Sequence, residues 1–175
     1  IANHPTLIDV VVLIGLMEEA NCVVKQALWS NPFTKGPVQS AGYILNAGSE
    51  QFIQDCVHKL QQDHAASLLI FPEGTRTAKG EQLNEFQRGA ANIALRAGVP
   101  IRPVLISCTP STLTKNEKWY HIPEQPFHIH VKVLDAIQVE DVLDDVTVNP
   151  KNVRQLNQQL QWFFNQELSL NDESC

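Results

Sequence analysis

A short run of apolar residues that ends in a tight turn constrains the fold of this chain more than any other feature. The run occupies residues 67–71 (Ser-Leu-Leu-Ile-Phe), and the turn-forming segment Pro72-Glu73-Gly74 follows it directly. Runs of this kind are typical of parallel strands that are buried on both faces of a sheet. The run therefore predicts a buried parallel strand.

Helix-like and strand-like patterns alternate along the rest of the chain. Further strands are predicted at residues 22–24, 41–45, 101–107 and 127–134. Helices are predicted at residues 5–20, 51–62, 86–97 and 149–168, of which the last begins with a cap and a first-turn proline, Asn149-Pro150. The alternation predicts one α/β domain over residues 1–175, with a mixed central sheet flanked by helices on both faces.

The composition is that of a soluble globular domain without a nucleic-acid surface. The 175 residues fit one domain with a sizeable core, and 43% of them are hydrophobic against 18% charged. The net charge of −6 argues against a nucleic-acid partner, because such proteins usually carry a basic excess. The four cysteines are widely scattered, which favours reduced thiols and a cytoplasmic setting.

The chain begins with Ile1 rather than Met, and its most informative motif follows at once. We therefore expect an N-terminal segment to be missing. The longest apolar run near the start, residues 10–17, is far shorter than the roughly 20 residues that span a bilayer. No span is predicted within these residues, and an anchor would lie in the missing segment.

A histidine and an aspartate stand close together at the start of the chain, in the segment His4-Pro5-Thr6-Leu7-Ile8-Asp9. If Pro5 begins a helix, His4 is its cap residue and Asp9 lies on the first turn. Asp9 would then accept a hydrogen bond from one ring nitrogen and raise the basicity of the other, as in a catalytic triad. Such a histidine is a general base for a substrate hydroxyl. The plainer interpretation is a helix cap beside an aspartate that the helix dipole favours.

A second polar block, Glu73-Gly74-Thr75-Arg76, follows the strand at residues 67–71. It lies at the carboxyl end of that strand, where α/β sheets place their ligands. An acid beside an arginine in a tight turn suits a polar, often phosphorylated, substrate. The alternative is a surface turn in which Glu73 and Arg76 pair with each other or with solvent. Together the two blocks predict a group-transfer enzyme.

Four segments in this order and spacing resemble the lysophosphatidic acid acyltransferase (PlsC-type) family. The resemblance covers residues 1 to about 134, and the segments are Asn3-His4-Pro5-Thr6-Leu7-Ile8-Asp9, Phe71-Pro72-Glu73-Gly74-Thr75-Arg76, Phe86-Gln87-Arg88-Gly89 and Val99-Pro100-Ile101.

The resemblance implies transfer of an acyl chain from an acyl-CoA or acyl-carrier-protein thioester to the hydroxyl of a lysophospholipid, 1-acylglycerol-3-phosphate in the first instance. It implies that His4 is the general base and Asp9 its orienting partner. The acceptor site would be lined by Glu73, Gly74, Thr75 and Arg76, with Arg76 as the phosphate contact. No metal or other cofactor is implied. The expected location is the cytoplasmic face of a membrane, bound peripherally or anchored through the missing segment.

One departure from the family pattern bears on the acceptor. The family usually has an arginine after the strand that follows its Gly-x-Ile pattern, whereas residues 42–48 contain no basic residue. Losing one charge-assisted contact costs about 1.5–3 kcal/mol of phosphate binding. Lys25, Lys35 and Arg102 are candidates to replace it. Acyl transfer to a different lipid or hydroxylated acceptor is therefore an alternative.

Two other classes of function are compatible with the same residues. One is a metal-dependent hydrolase that uses His4, Asp9 and Glu73. The other is a lipid-binding or scaffold domain, although the intact polar blocks argue against it. Three further histidines are predicted to have surface or packing roles rather than to bind a metal, because no carboxylate or thiol stands at ligand spacing: His121, His128 and His130.

Overall fold

Strands and helices alternate along the part of the chain that the computed structural model describes. That part comprises residues 1–17, 20–25, 36, 43–46, 50–63, 66–115, 117, 120 and 123–172. Its helices are α1 (Asp9–Leu16), α2 (Glu50–Gln62), α3 (Gly89–Ala97), α4 (Val139–Val142) and α5 (Pro150–Asp172). Its strands are β1 (Ala20–Lys25), β2 (Ile44–Asn46), β3 (Ser67–Leu69), β4 (Val104–Thr109) and β5 (His128–Val133).

The strands form two hydrogen-bonded groups, which residues 1–3 join. A parallel group has the order β2-β1-β3, and β4 pairs with β5 in antiparallel fashion. The Ala2 N–H donates to the Ile70 carbonyl at 3.1 Å, and the Val104 N–H donates to the Ile1 carbonyl at 2.9 Å. The segment therefore connects the chain directly after β3 with the start of β4, and Ala2 forms an isolated parallel bridge to Val104. The predicted mixed α/β architecture is confirmed, with this segment as its central link.

The side chains of the strands alternate between two apolar layers. Cys22, Leu69 and Ile106 pack with Leu13 of α1 on one face. The opposite face receives α2 and α3, where a second cluster of buried residues packs against the neighbouring strand positions: Phe52, Cys56 and Ile93. This alternation follows from the two-residue period of a strand. The prediction of helices on both faces is confirmed.

The last helix, α5, closes the largest core cluster. Leu156, Leu160 and Phe164 are almost fully buried, and Phe164 packs edge-on against Phe86 at a ring-centroid distance of 5.2 Å. The predicted start is correct, because the Asn152 N–H donates to the Asn149 side chain at 2.8 Å, as in a helix cap. The helix continues to Asp172, beyond the predicted end.

The first helix differs most from its prediction. It was expected over residues 5–20 with His4 as its cap, but it begins at Asp9 and Met17 is already extended. The Thr6 N–H donates to the Asp9 carboxylate at 2.7 Å, and the Leu7 N–H donates to the Leu113 carbonyl at 3.0 Å. Because these bonds satisfy the backbone outside a helix, residues 4–8 form a turn. His4 is not a cap residue.

Two other predicted elements begin later than expected, because their first residues form hydrogen bonds outside the element. The helix predicted from Phe86 begins at Gly89, because the Phe86 N–H donates to the Gln161 side chain at 2.6 Å. The strand predicted from Ile101 begins at Val104, since Ile101 pairs with Ile137 instead. Gly98 ends α3 as predicted, with φ at +64°. Residues 41 and 42 of a predicted strand lie outside the described residues.

The cysteines that the structure describes are free thiols. Cys22 and Cys56 are buried, and Cys108 is half-buried. Burial raises the pKa of the Cys22 thiol to about 11 and that of Cys56 to about 12, so both are inert at neutral pH. Within the same described ranges, no helix is long and apolar enough to cross a membrane.

We predict that Phe164→Ala destabilises the domain by about 3–5 kcal/mol, because it leaves a cavity beneath α5. Trp162→Ala on the same helix is the matched control, since the Trp162 side chain is 60% exposed. The control should change the free energy of unfolding by less than about 0.5 kcal/mol. Urea unfolding followed by circular dichroism measures both. Equal effects would show that α5 is not packed as described.

Candidate active site

The two polar blocks of the sequence, residues 4–9 and 73–76, lie at the same edge of the sheet. His4 follows residues 1–3, which bond to Ile70 directly after β3, and residues 71–77 come next along that segment. Because the two segments are parallel neighbours, their carboxyl ends meet at the edge where α/β sheets bind ligands. The Thr77 N–H donates to the His4 carbonyl at 2.7 Å, so the two blocks are in direct contact.

The Asp9 carboxylate is fully buried and orients His4. His4 Nδ1 lies 2.9 Å from Asp9 Oδ2. The same carboxylate accepts the Thr6 N–H at 2.7 Å and a short bond from the Thr6 hydroxyl. A carboxylate only accepts, so Nδ1 carries the proton of the neutral ring. The predicted hydrogen bond is present, although the turn at residues 4–8 produces it rather than a helix cap.

The His4 ring has one open edge. One face stacks on Phe71 with ring centroids 4.2 Å apart, and the side chain is 15% exposed. Since Nδ1 holds the proton, Nε2 presents a lone pair. Nε2 has no hydrogen-bond partner among the described residues, so the protein leaves this lone pair unpaired there.

The carboxylate of Glu73 lies inside the protein rather than in the solvent. Its side chain is 3% exposed. Oε1 accepts the His4 N–H at 2.7 Å, and the Thr77 hydroxyl lies within 3.0 Å of both oxygens. Oε2 accepts the Asn84 N–H at 2.9 Å. The hydrogen bonds of Glu73 therefore connect three segments of the chain, and the Glu73–Arg76 pair considered from the sequence is not formed.

Gly74 makes the tight turn that separates Glu73 from Arg76. Its N–H donates to the Phe71 carbonyl at 3.0 Å, and its φ of +68° lies in the left-handed region. Glycine adopts this conformation without the strain that a side chain would add. Gly74 is exposed and Thr75 is half-buried, so both line the open side of the turn.

Arg76 is half-buried and uses one part of its guanidinium to hold a second loop. Nη1 donates to the Leu113 carbonyl at 2.9 Å and to the Thr114 carbonyl at 2.8 Å. Nε and Nη2 have no partner within the described part of the chain. These nitrogens form the other side of the fork that binds carboxylates and phosphates in bidentate fashion.

Several residues that build this edge were not singled out from the sequence. Asn3 donates to the Ile106 carbonyl at 2.8 Å and accepts the Ile106 N–H at 2.7 Å, which fixes the strand before His4. Thr77 and Asn84 complete the environment of Glu73. Of these contacts, only the bond between Thr6 and Asp9 could be predicted from the sequence, because a hydroxyl stands three residues before an aspartate. The other contacts join distant parts of the chain.

Arg102, one candidate to replace the absent family arginine, does not lie at this edge. Arg102 donates to the Leu134 carbonyl at 3.1 Å, at the start of β4. Since Ala2 pairs with Val104, Arg102 lies about 13 Å along the strand direction from the level of His4. The proposed compensation by Arg102 is therefore wrong. Lys35 and the side chain of Lys25 lie outside the described residues.

Three histidines outside the two polar blocks were predicted to have surface or packing roles. His128 and His130 are exposed on β5, and His121 lies outside the described residues. Among the residues that the structure does describe, no three His, Cys, Asp or Glu side chains are grouped so that they could hold a metal ion.

The chain is similar in sequence to known acyltransferases. A family model described as acyltransferase matches residues 1–107. The chain is 36% identical over 172 residues to the 1-acyl-sn-glycerol-3-phosphate acyltransferase alpha of Mus musculus, covering 88% of this chain and 55% of the relative. It is 31% identical over 152 residues to the 1-acyl-sn-glycerol-3-phosphate acyltransferase of Saccharomyces cerevisiae, covering 83% and 48%.

A solved structure has the same fold. The crystal structure of the 1-acyl-sn-glycerophosphate acyltransferase PlsC from Thermotoga maritima matches with a TM-score of 0.67 and 17% identity, over 98% of this chain and 64% of that one. The chain spans about half the length of the two curated relatives named above. The resemblance drawn from the sequence motifs is confirmed, and the chain belongs to the acyltransferase family.

Proposed function

We propose that this chain is the catalytic domain of an O-acyltransferase. It moves a fatty acyl chain from an acyl-CoA or acyl-carrier-protein thioester to the hydroxyl of 1-acylglycerol-3-phosphate. The observation that supports this most strongly is the His4–Asp9 pair at the edge that also presents Arg76. The names of the two relatives, both 1-acyl-sn-glycerol-3-phosphate acyltransferases, support the choice of acceptor.

The proposed reaction uses His4 as the general base. Nε2 removes the proton of the acceptor hydroxyl, and the oxygen attacks the thioester carbonyl carbon. The tetrahedral intermediate collapses, the carbon–sulfur bond breaks, and the imidazolium returns the proton to the departing thiolate. The products are an ester and a free thiol. Asp9 holds the ring and stabilises its charged form during transfer, because its carboxylate faces Nδ1 at 2.9 Å.

The acceptor phosphate is proposed to bind at the Gly74–Arg76 turn. The Nε and Nη2 groups of Arg76 are the cationic donors that the described residues leave open at this edge. Gly74 lets the turn approach the headgroup closely, and the Thr75 hydroxyl supplies a further polar contact. A phosphate held here places the rest of a small acceptor beside His4. With no basic residue in positions 42–48, Arg76 is the main determinant of phosphate affinity.

We predict that His4→Ala lowers kcat for acyl transfer by about 100-fold to 10,000-fold, because it removes the general base. The matched control is His58→Ala, since His58 is exposed on α2, away from this edge. Release of free thiol from acyl-CoA in the presence of acceptor measures the rate. The wild-type rate should not respond to a chelator.

Two results would favour the rival functions. Loss of wild-type activity with a chelator would favour the metal-dependent hydrolase. Full activity in a folded His4→Ala variant would show that His4 is not catalytic and would favour a binding or scaffold role.

We predict that Arg76→Ala raises the apparent KM for the acceptor by about 10-fold to 150-fold, as expected for the loss of 1.5–3 kcal/mol of charge-assisted binding. The apparent KM for acyl-CoA should change little. Arg76→Lys retains the charge and tests whether the fork is needed. Arg154→Ala, on the exposed side of α5, is the control.

Two other outcomes of the Arg76→Ala experiment would contradict this assignment. If Arg76→Ala weakens the use of acyl-CoA as much as that of 1-acylglycerol-3-phosphate, Arg76 is assigned to the wrong substrate. If the variant leaves acceptor use unchanged, the acceptor is another lipid or hydroxylated molecule.

Association with a membrane surface is a further part of the proposal. Val11 and Leu16 of α1 are 70% and 67% exposed, and Leu7 in the turn after His4 is 42% exposed. Large exposed apolar side chains grouped on one short helix and the turn before it are candidates for contact with another apolar phase. Their position next to His4 suits a lipid acceptor that stays in the bilayer. The scattered reduced thiols support the cytoplasmic face.

We predict that Val11→Asp reduces binding of the chain to vesicles of phosphatidylcholine and phosphatidic acid by at least about threefold, because it places a charge on the apolar surface. Val146→Asp is the control, since Val146 is 43% exposed elsewhere on the surface. Co-sedimentation measures binding. An equal loss in both variants would show that charge alone, and not the surface of α1, determines binding.

A further inference from the structure

The environment of Glu73 differs from that expected of a residue that binds the substrate. It is the acid of the exposed turn, yet its side chain is 3% exposed. A carboxylate offers about four acceptor positions on its two oxygens. Three donors of the chain share them: the His4 N–H, the Thr77 hydroxyl and the Asn84 N–H. Both oxygens are therefore engaged within the protein, and the burial of the side chain leaves little access for a substrate hydroxyl.

The same contacts hold the backbone of His4 from both sides. Its N–H donates to Glu73 Oε1 at 2.7 Å, and its carbonyl accepts the Thr77 N–H at 2.7 Å. Thr77 is itself bonded to Glu73 through its hydroxyl. Asp9 orients the ring of His4, whereas Glu73 and Thr77 fix the residue that carries the ring.

We infer that Glu73 is a positioning residue for the general base and not a contact of the acceptor. Because the turn that Glu73 begins also contains Arg76, its carboxylate sets the distance between the base and the phosphate site. A displacement of about 1 Å in such a geometry costs about 100-fold in rate. The inference rests on the proposed function of His4 as base.

The kinetic test compares Glu73→Gln with Glu81→Gln. The glutamine amide supplies one acceptor oxygen instead of two, so one N–H of the chain loses its partner. We expect Glu73→Gln to lower kcat at least 10-fold while the acceptor KM changes less than twofold. Glu81→Gln removes the same charge from an exposed position and should change neither quantity. An acceptor contact would instead raise the KM with kcat retained, and that result would overturn the inference.

A spectroscopic test separates this inference from the proposed function. The hydrogen-bonded Nδ1–H of His4 should give a low-field proton resonance, assigned by its absence in folded His4→Ala. We expect Glu73→Gln to shift or broaden this resonance and Glu81→Gln to leave it unchanged. An unchanged resonance in Glu73→Gln would overturn the positioning role. Because this signal does not depend on turnover, it decides the question even if acyl transfer is not observed.

Thr77 provides a second pair of variants in case Glu73→Gln does not fold. Thr77→Ser retains the hydroxyl bond to Glu73, whereas Thr77→Val removes it with little change in shape. We expect Thr77→Val to lower kcat and broaden the His4 resonance, and Thr77→Ser to restore both. Equal behaviour of the two variants would contradict the inference.

Discussion

The pairing of residues 1–3 with the chain after β3 and with β4 determines where His4 lies relative to the turn at residues 73–77. Backbone bonds from Ala2 to Ile70 and from Val104 to Ile1 join the parallel and antiparallel parts of the sheet. Asn3 adds two bonds to Ile106 at the edge of that junction. His4 is the next residue, so its position follows from strand pairing and not from the helix that begins at Asp9.

Two buried carboxylates then act on the same histidine in different ways. Asp9 faces the ring nitrogen, and Glu73 faces the backbone N–H. Both acids have every oxygen engaged by donors of the chain, which compensates for the cost of burying a charge. The Arg76 side chain also bonds to another segment, since Nη1 donates to the carbonyls of Leu113 and Thr114. Its other nitrogens have no partner among the described residues.

The sequence allowed the architecture and the location of the site to be predicted, because both depend on local patterns. The apolar run before Pro72, the period of α5 and the polar turn after β3 are each visible within a few residues. The detailed geometry was not predictable in the same way. The turn at residues 4–8 depends on Leu113, and the environment of Glu73 depends on His4 and Asn84, which lie far away in sequence. Glu73 and Arg76 looked like a pair because they are neighbours in sequence, but their partners come from other segments.

The sequence separation of these contacts has a consequence for how the domain acquires its active geometry. His4 and Glu73 are 69 positions apart, and Asn3 and Ile106 are 103 apart. During synthesis the N-terminal segment emerges first, but its partners appear only after most of the domain has been made. Closing such long loops delays native pairing, so the histidine acquires its final geometry late in folding. A nascent or partly folded chain therefore contains the residues of the site without the hydrogen bonds that orient His4.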